Sequence, residues 1–448
     1  MNNHPRLLLM LAVLLAFVRP AVAGPVAPTS AWPSADAVTC DWTRETAPDR
    51  VRSPVQMDIH AAYRIFVFES DGTVGYRVRG EFPYAAFLSY TIYDKALVHA
   101  ARLDRDIVPD AGSTNPFQAN ELVHADDRAY ALTILPDGAA AGSMPNPIFM
   151  PPLRRPSQST IVVFVQRIYL PEPGQDRYGG VPAPTIEPFL VSDPATPASC
   201  PGGDFSDIAD QFGNVAIPFS QSPLPRDGTI EFYRPPVADV PFADGDAFQD
   251  KHDCTGYLMA TVYPDRLAVV HLPKVPTFFD NTNIGPTTRF VPPAGVRYLS
   301  LGSYGVSVMG VIENENVAGP DIRKLSDGSA TFVAIPWALP DARLVIAKAD
   351  ELGYNLMPLA EYGPLIPGQD DGQQINPFLI YRNKVASDGF PGSIRNVACF
   401  QGTSFRHAPQ KYAASPSNMG EYAPTGVECS VEDFVSGSCG QDFGASHP

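Results

Sequence analysis

Basic residues are scarce in this 448-residue chain: 32 Lys and Arg stand against 48 Asp and Glu, a formal net charge of −16. A protein that grips nucleic acid lines cations along the phosphates to displace their counterions, and no Lys/Arg cluster here supplies that footprint. No nucleic-acid partner is therefore expected. Cysteine is sparse too, and no two of the six are spaced C-x-x-C, so a zinc ribbon or a thioredoxin-type redox pair lacks its ligands. Loops of the G-x-G-x-x-G and Walker types are missing, as is the G-x-S-x-G elbow. Ser303, in Gly302-Ser303-Tyr304-Gly305, lacks that spacing and falls within a strand pattern, which disfavours an ordinary α/β-hydrolase. Long amphipathic helices are absent from the pattern as well.

The N-terminus supplies an address. Arg6, an apolar run from Leu7 to Val18, and small residues at Ala21 and Ala23 are the three parts of a secretory signal peptide over residues 1–23. The run is shorter than the roughly 20 residues that span a bilayer, so no membrane span is expected in a mature chain beginning at Gly24. Loss of Arg6 and Arg19 with the signal takes the net charge from −16 to −18. The expected location is periplasmic or extracellular. In that setting the even set Cys40, Cys200, Cys254, Cys399, Cys429 and Cys439 points to up to three disulfides. One is expected to tie the N-terminal extension at Cys40 to the first half of the chain. Three cysteines beyond residue 398 imply a stapled C-terminal tail.

Hydrophobic residues make up 44% of the chain and aromatic ones 10%, enough for a sizeable core, while 48 prolines and 35 glycines favour many turns between short strands. Val74, Tyr76 and Val78 alternate with polar or small neighbours, and Tyr130, Leu132 and Ile134 repeat the alternation, the mark of half-buried strands. AAFLSYTIY, ending at Tyr93, is aromatic and β-branched on both parities, as a strand covered on both faces requires. TIVVFVQRIYL, from Thr160 to Leu170, is a strongly apolar strand stopped by Pro171. Further strand signals run from Thr229 to Tyr233, Tyr257 to Tyr263, Leu267 to Leu272, Val296 to Val308, Ala330 to Ile335, Arg343 to Ala347, and Phe378 to Tyr381. Short helices are expected after Ser206, ending at Gly213, and after Ser430. The reading is an all-β chain of two β-sandwich or jelly-roll-like domains with a few short helices. Its divisions are a lead-in over 24–54, a first β domain over 55–192, a connector over 193–225, a second β domain over 226–390 and a Cys-containing tail over 391–448. GEFPYAAFLSYTIYD and GVRYLSLGSYG share an aromatic, Leu-Ser and aromatic pattern that hints at related halves.

FPYAAFLSYTIYD, LDRDIVPDAGSTNPF, RIYLPEPGQDRYGGVPAP and VRYLSLGSYG resemble segments of uncharacterised exported bacterial proteins, which are in turn similar to families of unknown function with paired β-sandwich domains. The resemblance spans about residues 55–385. It implies the fold and the export route and carries over no catalytic residue.

Asp104, Asp106 and Asp110 with Asn115 form D-x-D-x3-D-x4-N, and the D-x-D-x3-D spacing recurs at Asp244, Asp246 and Asp250. Loop oxygens of this kind suit a hard cation such as calcium; neither copy matches the EF-hand pattern, and solvated acids in Asx-turns are the alternative. Asp250, His252 and Asp253 gather beside Cys254, where a carboxylate could orient an imidazole for acid–base chemistry or zinc, and an exposed polar loop is the alternative. His99, His124 and His271 lie near strand signals, and His407 sits in the tail. Tyr90, Tyr93, Tyr178 and Tyr304 are candidates to line a concave face for a sugar or apolar ligand, against the alternative of core packing. The expected function is an exported protein binding a small molecule or carbohydrate in an aromatic-lined cleft. Alternatives are an exported hydrolase or isomerase using Asp250, His252 and Asp253 with His99 and His271, and a structural or surface-interaction protein.

Overall fold

The computed structural model describes residues 38–46, 58–94, 97–153, 159–202, 205, 222–235, 256–307, 310–336, 339–359, 376–400 and 407–439. Nineteen strands among these residues make four sheets. In the first, β1 (Arg44–Thr46), β2 (Ala61–Ser70), β8 (Thr160–Pro171), β4 (Ala85–Asp94) and β5 (Leu97–Leu103) lie side by side in that order. In the second the order is β10 (Asp193–Pro197), β9 (Thr185–Leu190), β3 (Val74–Glu81), β6 (Ala129–Leu135) and β7 (Pro147–Phe149). The third runs β11 (Thr229–Ile230), β19 (Thr425–Cys429), β13 (Leu267–Leu272), β16 (Ala330–Pro336) and β17 (Asn355–Leu359). The fourth is β12 (Leu258–Thr261), β18 (Phe378–Lys384), β14 (Tyr298–Ser307) and β15 (Gly310–Ala318). Pairing is antiparallel except where β7 and β17 join the edges in parallel.

Side-chain alternation sets where the cores lie. Phe66, Phe68, Leu88, Tyr90, Ile92 and Phe164 project from the first sheet against Tyr76, Val78, Tyr130, Leu132 and Ile134 of the second. Ala268, Val270, Phe332 and Met357 of the third sheet meet Leu258, Leu299, Leu301 and Leu379 of the fourth in the same way. The opposite parity of the first sheet is buried as well: Tyr63, Ile65, Phe87, Tyr93, Val165 and Tyr169 cluster with Tyr298, Ala318 and Val385 from the fourth-sheet region. Covering both faces of β2, β4 and β8 explains why their sequences are apolar at odd and even positions alike.

Polar side chains are built into that layer. Asp58, fully buried, accepts from Tyr298 Oη at 2.5 Å, Asn316 Nδ2 at 2.8 Å and Ser300 Oγ at 3.3 Å, with Arg382 Nη1 at 3.4 Å. Burial opposes its charge, and Arg382, His60 and Tyr298 outweigh that penalty, so its carboxyl lies below the usual range. Burial pulls the Lys384 ammonium well down, and Arg167 adds to the effect.

Most expected strands stand where the alternation puts them; one does not. Residues Arg343 to Ala347, expected as a strand, belong to helix α1 (Ala342–Glu351). A short apolar run has no period of its own to separate strand from helix; here Val345 and Ala349, one helical turn apart, face the core while Leu344 and Ile346 face out. Helix α2 (Val431–Ser436) forms as expected, with the Ser430 hydroxyl accepting from the Asp433 N–H at 3.0 Å. The helix expected from Ser206 to Gly213 lies outside the described residues.

Disulfides join Cys40 to Cys200 and Cys429 to Cys439, and Cys399 is also disulfide-bonded. The first fastens the N-terminal extension to the first half, as expected, and the second staples the tail onto β19. Cys254 lies outside the described residues. Disulfides point to a non-cytoplasmic location, and no helix among the described residues is long and apolar enough to cross a membrane.

Candidate functional site

The end of β8 builds a surface where ionisable and aromatic side chains meet. Leu170 adopts φ +50°, an unusual conformation for a branched residue, and donates its N–H to His60 O at 2.7 Å. The register between β4 and β8 carries on past it, Phe87 facing Tyr169 and Ala85 facing Pro171, and brings Glu172 to the start of β4, where the Glu172 N–H donates to Tyr84 O at 2.9 Å. The chain then folds back. Asp176 Oδ1 accepts from the N–H groups of Tyr178 and Gly180, both at 2.9 Å, and the Tyr84 N–H donates to Gly179 O at 2.9 Å. Gly179 is at φ +71°, and a Cβ there would lie 2.7 Å from Pro83 Cβ, so only glycine lets the turn press against residue 84.

That turn gathers four side chains. Tyr84 and Tyr178 are both half-buried, and each ring is backed by a buried guanidinium: Arg128 lies 3.7 Å over Tyr84 and Arg64 lies 3.9 Å over Tyr178. Burial pushes the Tyr178 hydroxyl up and pulls the Arg128 guanidinium down. His124 Nε2 sits 2.7 Å from Glu172 Oε2, with the imidazole 31% exposed and the carboxylate 6%. The Tyr84 ring meets the imidazole at a centroid distance of 5.3 Å and 81° between planes. Glu172 Oε1 is buried and has no hydrogen-bond partner among the described residues.

Arg64 extends the support inward. It donates to Glu45 Oε1 at 3.0 Å and Gln166 Oε1 at 2.9 Å; Gln166 donates to Tyr90 Oη at 2.7 Å, and Tyr90 hydrogen-bonds Tyr130. The lead-in contributes Trp42, whose indole N–H donates to Pro184 O at 2.8 Å.

Other expected site residues fall elsewhere. Asp104 is fully buried and accepts from Arg297 Nη1 at 2.6 Å and from the N–H groups of Leu88 at 2.8 Å and Arg105 at 2.6 Å. Burial pushes its carboxyl up, against the pull of Arg297. Asn115 spends its amide on Asp104 O and Ile107 O, both at 2.7 Å. Asp106 is exposed and Asp110 half-buried, its carbonyl closing a turn with the Ser113 N–H. No group of three or more His, Cys, Asp or Glu side chains gathers for a metal among the described residues, so the three acids do not converge there. Asp244, Asp246, Asp250, His252 and Asp253 lie outside the described residues. His99 is exposed on β5, and His271 on β13 has Nδ1 3.0 Å from Thr331 Oγ1, with burial pulling its imidazole down. The two sit on different sheets. Tyr90, Tyr93 and Tyr304, expected to line a cleft, are instead fully buried, because strands covered on both faces leave no solvent side for their rings. Tyr178 alone of that group reaches the surface.

His124, Glu172 and Tyr84 were not singled out together from the sequence, since Tyr84 and Glu172 lie on strand ends 88 residues apart with His124 between them. Their signal lay in the segments FPYAAFLSYTIYD and RIYLPEPGQDRYGGVPAP, which carry Tyr84, Glu172 and Tyr178.

A separate apolar hollow of about 290 Å³ lies between α1 and β17, lined by Ile335, Pro336, Ala342, Ile346 and Met357. Its lining contains no titratable group.

The fold and this surface define a disulfide-bonded, all-β protein with a His–carboxylate pair among half-exposed tyrosines. No protein-family model matches the chain, and no curated protein does. Among solved structures it is similar to an uncharacterized protein from Burkholderia cenocepacia, at 12% identity and a TM-score of 0.41 over 88% of this chain and 83% of that one. It is similar also to the VPA0106 protein from Vibrio parahaemolyticus, at 9% identity and a TM-score of 0.35 over 84% of this chain and 90% of that one. Neither supplies an activity, and no specific family is defined by them.

Proposed function

We propose that this is an exported protein that binds a small polyhydroxylated molecule, a sugar, across Tyr84 and Tyr178. Export rests on the signal-peptide pattern of residues 1–23 together with the disulfides. The observation that carries the binding reading is the pair of half-buried tyrosines on either side of the Gly179 turn, each held from behind by a buried arginine. A ring fixed in this way offers its remaining surface to the C–H face of a sugar at a reduced entropy cost on binding, while the exposed Gln175 and Asp176 supply acceptors and donors for hydroxyls.

The test is a glycan panel read by calorimetry on the purified mature chain and on Tyr178→Ala and Tyr84→Ala. The expected result is saturable binding that each substitution weakens at least tenfold, with the melting temperature of Tyr178→Ala close to wild type. A folded wild-type protein that binds no member of the panel overturns the reading.

A further inference from the structure

Two residues at this surface have more chemistry than ligand binding needs. Glu172 is 6% exposed, His124 is 31% exposed, and Glu172 Oε2 lies 2.7 Å from His124 Nε2. When Nε2–H donates to the carboxylate, the lone pair belongs to Nδ1, which makes Nδ1 the basic nitrogen. This is the relation of a base to its orienting acid, with the acid enclosed and the base toward solvent.

The base is mounted firmly. Residues 120–123 pair with the segment 288–290 through Asn120 N–H to Phe290 O at 2.9 Å, Phe290 N–H to Glu121 O at 2.8 Å and Val123 N–H to Thr288 O at 3.0 Å. Tyr84 flanks the imidazole, and Arg128, which backs Tyr84, also donates to Pro83 O at 3.0 Å. Elements from both halves of the chain thus fix one imidazole beside the tyrosines.

We propose that His124 is the general base of an ester-hydrolysing site that removes acyl groups from hydroxyls of the bound ligand, with Glu172 as its positioning residue. This rests on the sugar-binding reading of the same surface. In the step, His124 Nδ1 takes a proton from water as the water oxygen bonds to the acyl carbon. The tetrahedral adduct then collapses by breaking the C–O bond to the sugar oxygen, which leaves with the proton from Nδ1. Ester and water become carboxylic acid and alcohol, and His124 returns to its neutral form.

The probes are p-nitrophenyl acetate and methyl 6-O-acetyl-glucoside, assayed with the full mature chain, His124→Gln and Glu172→Gln. Gln at 124 can still donate to Glu172, so it keeps the tie between the two loops while removing the base. The expected result is saturable hydrolysis by wild type, a loss of about 100-fold or more in His124→Gln, and a smaller loss in Glu172→Gln, with melting temperatures of the variants close to wild type. The rising limb of the pH–rate profile that reports loss of an imidazole proton should vanish in His124→Gln, which a structural tie alone would not cause. No hydrolysis above buffer by wild type, or equal rates in wild type and His124→Gln, overturns the proposal. A wild type that binds glycans without hydrolysing either ester sinks this inference alone; one that hydrolyses p-nitrophenyl acetate without binding any glycan sinks the binding reading alone.

Discussion

Asp104 shows how much one buried carboxylate decides. Its oxygens bind Arg297 and two backbone N–H groups, and Arg297 in turn donates to Ala86 O at 2.5 Å beneath the rings of Phe117 and Phe290. Removing one partner of a buried pair leaves the other charged and unsolvated, at a cost of about 3–5 kcal/mol. Asp104→Ala should therefore lower stability by that order in urea unfolding, whereas Asp104→Leu combined with Arg297→Met should recover most of the loss. Glu428 is shifted in the same direction by the same cause. Burial pushes its carboxyl up to about 7, against the Tyr263 N–H that donates to it at 2.7 Å. The folded state then holds a proton that the unfolded state releases between pH 4.5 and 7, so this contribution is complete below 4.5 and is lost as pH rises through 7. Glu428→Gln should melt at a higher temperature than wild type at about pH 8 and at the same temperature at about pH 4, measured by calorimetry. At this scale the sequence displayed residue types and little else. The D-x-D-x3-D spacing at Asp104 is compatible with a cation loop, and only the approach of Arg297, 193 residues away, commits that carboxylate to an ion pair.

Individual strands were the most legible feature. Alternation at Val74–Val78 and Tyr130–Ile134 marks β3 and β6, and the two-parity apolar runs mark β4 and β8 as covered on both faces. The run Arg343 to Ala347 was illegible because it is too short to show a period, and its helical state follows from which two residues the core accepts. Cross-links act between elements. Cys40–Cys200 closes a loop of 160 residues, and Cys40 N–H also donates to Ile186 O at 2.8 Å, which places the lead-in along β9. Replacing both cysteines with serine should cost about 2–5 kcal/mol, read by urea unfolding, and should make residues near Trp42 the first to be cut in limited proteolysis.

The four sheets form a continuous stack only because the outer faces of the first and fourth sheets bury each other through Tyr169, Tyr298 and the Asp58 cluster. Contacts of that extent, apolar and hydrogen-bonded, should hold the two halves together without the peptide link. A protease site engineered in place of residues 206–211 should, after cleavage, leave two fragments that co-elute in gel filtration under native conditions; separate peaks would count against the interface. Asp58→Asn should weaken that association, since Arg382 would lose the charge it faces. The sequence by itself determined the all-β class, strands such as β4, β8 and β13 and the short helix at Ser430, because these follow from period, capping and composition along neighbouring residues; β2 and β15 carried no such mark. It determined the net acidity for the same local reason. Tertiary structure alone decided which parity of each strand meets which sheet, that Tyr90, Tyr93 and Tyr304 are enclosed, and that His124 stands beside Glu172. Those outcomes depend on distances between residues remote in the chain, set by how the sheets stack and by the turn at Gly179, and no local pattern encodes them.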